Sequence, residues 1–253
     1  MRKVLVGLAI FASACCCAAP AFGDGASNIA AAPPVVFGQQ EFGNVGTGAY
    51  TQTDELCDGA SYQSFWALGV TSGDAVTINW ESPQSNPESA YTTLDLWPVG
   101  TTDYNLYSAR TAAYSRLNPN QKGQLTYTAT TTGVMPLDFA ACGGNTGPYD
   151  FTASILHRLV LSLSARADSR HHRTTFTVAV HNPDGAPISS PALQATFTRL
   201  TSGRWVSPHT VAQPFRFSEN WTKKTRNTWQ SVKVTVSGTG YRAASARIRV
   251  KAL

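Results

Sequence analysis

The sequence predicts an all-β protein made of two antiparallel β-sandwiches behind an export signal. Three observations predict it. Apolar residues alternate with polar ones at period two through most of the chain, turns separate the runs, and no segment carries a helical stripe. Charged residues make up only 14% of the 253, while Thr, Ser, Gly, Val and aromatics are plentiful, as strands and turns require. Charge also divides sharply along the chain. From 24 to 155 there are 12 acidic residues against Arg110, Arg116 and Lys122. From 156 to 253 there are 15 basic residues against Asp168, Asp184 and Glu219. Such asymmetry argues for two units, an acidic one at 51–156 and a basic one at 157–253.

The first 23 residues read as a signal peptide. Arg2 and Lys3 precede the apolar run "VLVGLAIFASA", and small residues crowd toward "APAFG", where cleavage is expected near Ala21 or Gly23. The run is shorter than a bilayer span, so no transmembrane segment is expected. Cys15 in "FASAC" offers an alternative, a lipid anchor, although Ala12 stands where a larger aliphatic residue is usual. Residues 24–50, with "DGASNIAAAPPVVFG", lack periodicity and are expected to be a flexible entry.

The acidic unit then alternates. Val76, Ile78 and Trp80 share one face, as do Leu94 and Leu96 against Asp95; Leu125, Tyr127 and Ala129 form another set. Leu137 with Phe139, and Tyr149, Phe151, Ala153 and Ile155, continue the pattern. The basic unit does the same through Leu159–Leu161–Leu163, Phe176–Val178–Val180 and Leu193–Ala195–Phe197. Val232–Val234–Val236 and Ala246–Ile248–Val250 complete it. Short strands at this spacing suggest sandwiches.

The last strand also predicts what faces water. Arg247, Arg249 and Lys251 alternate with Ile248 and Val250, which gives a linear basic stripe with charges roughly 6.5–7 Å apart. Lys233 extends it from the neighbouring strand, and Lys223, Lys224 and Arg226 add charge in the loop "TKKTR". The stripe is a candidate docking surface for an anionic polymer; its structural alternative is protection of a sheet edge. The charge division has two further readings, attraction between the units and solubility alone.

Cysteine usage fits export. Beyond the signal only Cys57 and Cys142 remain, and one disulfide is expected in an oxidising compartment, with two free buried thiols as the alternative. Catalytic patterns are not evident: G-x-S-x-G, H-E-x-x-H, the P-loop, G-x-G-x-x-G and C-x-x-C are all missing from the sequence. A triad is set by geometry, so its parts need not be adjacent. His171 and His172 are neighbours in "ADSRHHRTTFTVAV". In an extended segment they would diverge, which suits a loop better than a metal pair. Asp54, Glu55 and Asp58 gather oxygen ligands in "TDELCDG" without completing a calcium loop. No cofactor is expected. Trp205, in the hairpin "SGRW", is the tryptophan best placed for sugar stacking; Trp66, Trp97, Trp221 and Trp229 are weaker candidates.

Two resemblances follow from these stretches. "SFWALGVTSGDAVTINW", "TTLDLWPVGTTD", "YTATTTGVMPLDFAAC" and "GPYDFTASI" make residues 55–155 resemble the bacterial pre-peptidase C-terminal domain. That resemblance implies a compact, jelly-roll-like sandwich of secreted proteins, some members of which bind calcium. "TFTVAVHNPDGAPISSPALQATFTRLTSGRWV", "FRFSENW" and "SVKVTVSGTGYRAASARIRVKA" look like a bacterial immunoglobulin-like module. It implies a spacer, stalk or binding role. The combined expectation is a non-catalytic exported binding, adhesion or structural protein, extracellular or on the cell surface. Its expected partners are an anionic cell-wall polymer, a glycan or another envelope protein, and no nucleic-acid function is expected. The alternatives are an accessory carbohydrate-binding protein and a secreted hydrolase-like enzyme with an unrecognised site.

Overall fold

The computed structural model describes residues 25–252 apart from 46–49, 55–58, 84–90, 105, 107–108, 143–145 and 202–203, with backbone alone for 50–54, 59–61, 201 and 204–207. Sixteen strands and one 3-10 turn, Ile29–Ala31, make up the described elements. The fold is all-β, as the period-two pattern predicts.

The acidic half contributes β1 (Gln40–Val45), β2 (Tyr50–Asp54), β3 (Gly59–Val70), β4 (Ala75–Glu81), β5 (Tyr91–Leu96), β6 (Ala113–Leu117), β7 (Lys122–Thr128), β8 (Gly133–Cys142) and β9 (Gly147–Leu156). They form two antiparallel sheets, ordered β1-β9-β4-β7 and β2-β3-β8-β5-β6. Between them lies one core in which Val76, Ile78, Trp80, Tyr149 and Phe151 from the first sheet meet Trp66, Leu68, Leu94, Leu96, Leu137 and Phe139 from the second. These are the residues that alternation places inward.

The entry segment departs from its expected flexibility. It supplies β1, which pairs with β9 from Gln40↔Thr152 to Val45↔Gly147. Ala26 and Phe65 exchange two backbone hydrogen bonds of 2.9 Å, and Val35 N–H donates to the Ala67 carbonyl at 2.9 Å. The 3-10 turn is held by Asp103, whose carboxylate accepts from Ile29 N–H at 2.7 Å. Backbone pairing and the burial of Val35 and Val45 therefore outweigh the weak local pattern.

This strapping also covers the second sheet's outer face, where Phe65, Trp97 and Leu106 form a small separate cluster against Ile29 and Ala32. Asp95 and Asp138, opposite each other on β5 and β8, are consequently fully buried. Thr93 Oγ1 donates to Asp95 at 2.8 Å and Gln63 Nε2 donates to Asp138 at 2.8 Å.

The basic half contributes β10 (Val160–Asp168), β11 (Arg173–His181), β12 (Gln194–Thr201), β13 (Arg204–Ala212), β14 (Arg216–Asn220), β15 (Trp229–Gly238) and β16 (Tyr241–Lys251). Its sheets are β10-β11-β14 and β13-β12-β15-β16, an immunoglobulin-like arrangement of three strands over four. Phe176, Val178, Phe197, Val232, Val234 and Trp221 lie in its own core, which is distinct from the first.

Candidate functional site

The outward face of β15 and β16 assembles the predicted stripe. Val232, Val234 and Val236 point into the core, so Trp229, Ser231, Lys233 and Thr235 occupy the other face of β15. On β16 the half-buried Ile248 and Val250 set Arg247, Arg249 and Lys251 outward, and all three are exposed. The antiparallel register then places Lys233 opposite Arg247, Ser231 opposite Arg249 and Trp229 opposite Lys251.

Two features separate this face from ordinary strand polarity. Like charges directly opposite each other destabilise a sheet, yet Lys233 and Arg247 are so placed. No outward position of β15, β16 or the adjoining β12, with Gln194, Thr196 and Thr198, is a carboxylate. The second feature is Trp229. It is 59% exposed, and the Arg249 guanidinium lies over its ring at 5.3 Å. The face thus combines an apolar platform with a row of cations, suited to a flat ligand carrying negative charge.

The predicted loop cations sit at one end of this face. Lys223 and Lys224 are exposed in the turn between β14 and β15, whereas Arg226 is half-buried. Asn227 N–H donates to the Ala252 carbonyl at 2.6 Å and Ala252 N–H donates to the Thr228 carbonyl at 2.9 Å, tying the turn to the end of β16 beside Lys251. β16 is also an outer strand of its sheet, so the cations belong to an edge strand as well as to a face.

Other candidates fall elsewhere. Trp205 lies on β13, opposite Leu200, and its side chain is outside the described residues. Trp66, Trp97 and Trp221 are buried, which removes them as sugar platforms. Trp229 is the exposed tryptophan among the described side chains. Its odd-numbered position, opposite in parity to the inward valines, is the signal that would have ranked it first. Cys142 is buried at the end of β8, and Cys57 lies outside the described residues. Glu55 and Asp58 are outside them too, and of Asp54 only the backbone is described.

The histidine pair sits in the turn joining β10 to β11, as the sequence suggests. His171 is exposed and its Nδ1 lies 2.7 Å from Asp168 Oδ2. His172 adopts a left-handed φ of 49° and its carbonyl accepts from Trp221 N–H at 2.8 Å. The hydrogen bond from His171 holds the Asp168 carboxyl below its ordinary range, with Arg173 adding a smaller electrostatic pull.

No protein-family model matches the chain, and no curated protein sequence does. Solved structures show likeness of strand arrangement only. The adhesin domain of Epf from Streptococcus pyogenes is similar at a TM-score of 0.39 and 10% identity, over 76% of this chain and 72% of that one. A CBM4 structure is similar at 0.29 and 14% identity, over 47% of this chain and 94% of that one. Ruminococcus gnavus β-glucuronidase in complex with uronic isofagomine gives 0.28 and 7%, and this chain spans 34% of it. Likeness at this level carries no argument about ligand or activity.

Proposed function

We propose that this protein is a non-catalytic, exported binding module whose basic sandwich docks on an anionic glycopolymer of the cell envelope. The observation that carries the reading is exposed Trp229 beside Arg249, within a face that also presents exposed Lys251 and half-buried Lys233. Exposed cations gathered on one face raise the local concentration of an anionic polymer. Arg173 pairs with Asp168 and Arg199 with Glu219, both within the basic half.

Export, by way of residues 1–23, belongs to the same proposal, as does a Cys57–Cys142 disulfide. The support for the bond is that β8, which ends at Cys142, pairs with β3, which begins two residues after Cys57. The pre-peptidase C-terminal resemblance of 55–155 gives that half a scaffold role in this reading.

The test is retention of the full chain on immobilised wall teichoic acid and on polygalacturonate, with cellulose as the neutral control. Retention on both acidic polymers is expected at low salt, with elution by about 0.5 M, where screening shortens to a few ångströms. The variant R247Q/R249Q/K251Q should elute at clearly lower salt. Unchanged elution of that variant, or no retention of the native chain, would sink the proposal. Trp229 favours one second reading, carbohydrate binding by stacking. Retention on cellulose that W229A loses would select it.

A further inference from the structure

The opposite face of the basic sandwich carries a second cationic surface of different shape. Phe176 and Val178 point inward on β11, so Arg173, Thr175 and Thr177 face out. Register lines up Arg166, Thr175 and Ser218 across β10, β11 and β14, and likewise Ser164, Thr177 and Arg216. The turn after β10 adds Arg170 and His171. Ser164 and Ser218 apart, these residues border an open concavity of about 650 Å³, within the range of small-molecule sites.

Its chemistry is one-sided. Arg166, Arg170, Arg173 and Arg216 rim a floor of Thr175 and Thr177 hydroxyls, and Thr175 Oγ1 lies 2.9 Å from Ser218 Oγ. The one carboxylate in the lining, Asp168, is engaged by His171 at 2.7 Å and by Arg173 at 3.6 Å. Arg166, Arg170 and Arg216 make no ion pair among the described residues. Guanidinium forks bind planar or tetrahedral oxyanions through paired hydrogen bonds. The lining contains no Phe, Tyr or Trp, and its one ring, His171, is held by Asp168, which argues against base stacking of a nucleic acid. The hydroxyl floor suits a hydroxylated carrier.

We propose that this concavity is a discrete site for one acidic sugar unit, a saccharide bearing a carboxylate, sulfate or phosphate group. The inference deepens the anionic-glycopolymer reading and rests on it for the source of the ligand. It uses a different sheet, so the two fail separately.

The experiment titrates the full chain with trigalacturonate and with a sulfated disaccharide, read by calorimetry and by amide NMR shifts. Saturable binding of one ligand at this site, followed through the shifts of Thr175 and Thr177, is expected. R166Q/R216Q should weaken it about tenfold or more, as loss of charged hydrogen bonds requires, while R247Q/R249Q changes it less than about twofold. R166K/R216K, which keeps charge without the fork, should fall between the native chain and the glutamine variant. All four arginines are exposed, and matched melting curves confirm that the variants fold. No saturation, shifts confined to β15 and β16, or equal loss in both glutamine variants would overturn the proposal. Equal affinity for inorganic sulfate and the sulfated disaccharide would overturn the sugar assignment, as would equal binding of a short single-stranded oligonucleotide. If the acidic sugars bind here while the β16 variant leaves polymer retention unchanged, the β16 reading fails and this one stands.

Discussion

Tyr149 shows how much one residue organises in the acidic core. Its hydroxyl lies 2.6 Å from Ser64 Oγ and accepts from Trp66 Nε1 at 2.8 Å, while its ring stacks on Phe139 at a centroid distance of 4.0 Å. Gly43 makes this packing possible, because a Cβ there would meet the Tyr149 ring at 2.3 Å. G43A is therefore expected to destabilise by about 1–3 kcal/mol through overpacking, read as a lower urea midpoint at constant slope. In the basic half, Asp168 makes a pH prediction. Its folded carboxyl titrates below the ordinary range, so its interactions contribute stability above the unfolded value and lose it as pH falls through the folded one. H171A removes the leading cause, and an NMR titration should find the Asp168 carboxyl moved back up toward the normal range.

At the scale of elements, the strands were legible where alternation was long and one face met the core. Val76–Ile78–Trp80 and Phe176–Val178–Val180 are such cases. β1 was not legible, because "QEFGNV" offers one buried aliphatic, Val45, and spends a core position on Gly43. Its strand character comes from β9, a partner over a hundred residues away. β8 was half legible. Leu137 and Phe139 marked its inner face, but alternation carries no sign of the residues folded over the other face, where Asp138 is buried. The stripe was legible as charge and not as a site, since the exposed partner Trp229 lay just outside the valine run that defined β15. The arginine concavity was less legible still, because its members come from three strands and a turn and meet only through register. β1 yields the element's prediction. The comparison is with a chain starting at residue 25. One starting at residue 46 loses Val35 and Val45 from the core and leaves β9 as an unpaired edge. It should show a lower first transition in denaturant and concentration-dependent association by light scattering.

For the whole molecule, the charge division raises the question of what joins the halves. The contact described at the junction is polar. Asp74, 1% exposed in the turn before β4, accepts from Thr71 N–H at 2.8 Å and lies 3.1 Å from His157 Nδ1. It also accepts from Arg158 N–H at 3.4 Å. The chain on the far side of the junction is held in turn, with His157 N–H donating to the Gly240 carbonyl at 2.9 Å and Arg242 N–H donating to the His157 carbonyl at 2.9 Å. Gly73 packs so closely on Arg158 that a Cβ would come within 2.5 Å of its Cδ. A buried acceptor of this kind is screened little by salt, whereas attraction between exposed surfaces falls away beyond roughly 10 Å at 0.1 M. Cleavage after Arg158 by trypsin, followed by mass spectrometry, separates the two accounts. In the native chain the cleavage rate should stay level from about 0.05 to 0.5 M salt. In D74A it should rise about tenfold, because the variant leaves Thr71 and Arg158 amides unpaired and lets the junction open. A rate that climbs with salt in the native chain, with no change in D74A, would instead assign the joining of the halves to their opposite net charges. The cations of β15 and β16 would then be spoken for within the molecule rather than held for a polymer.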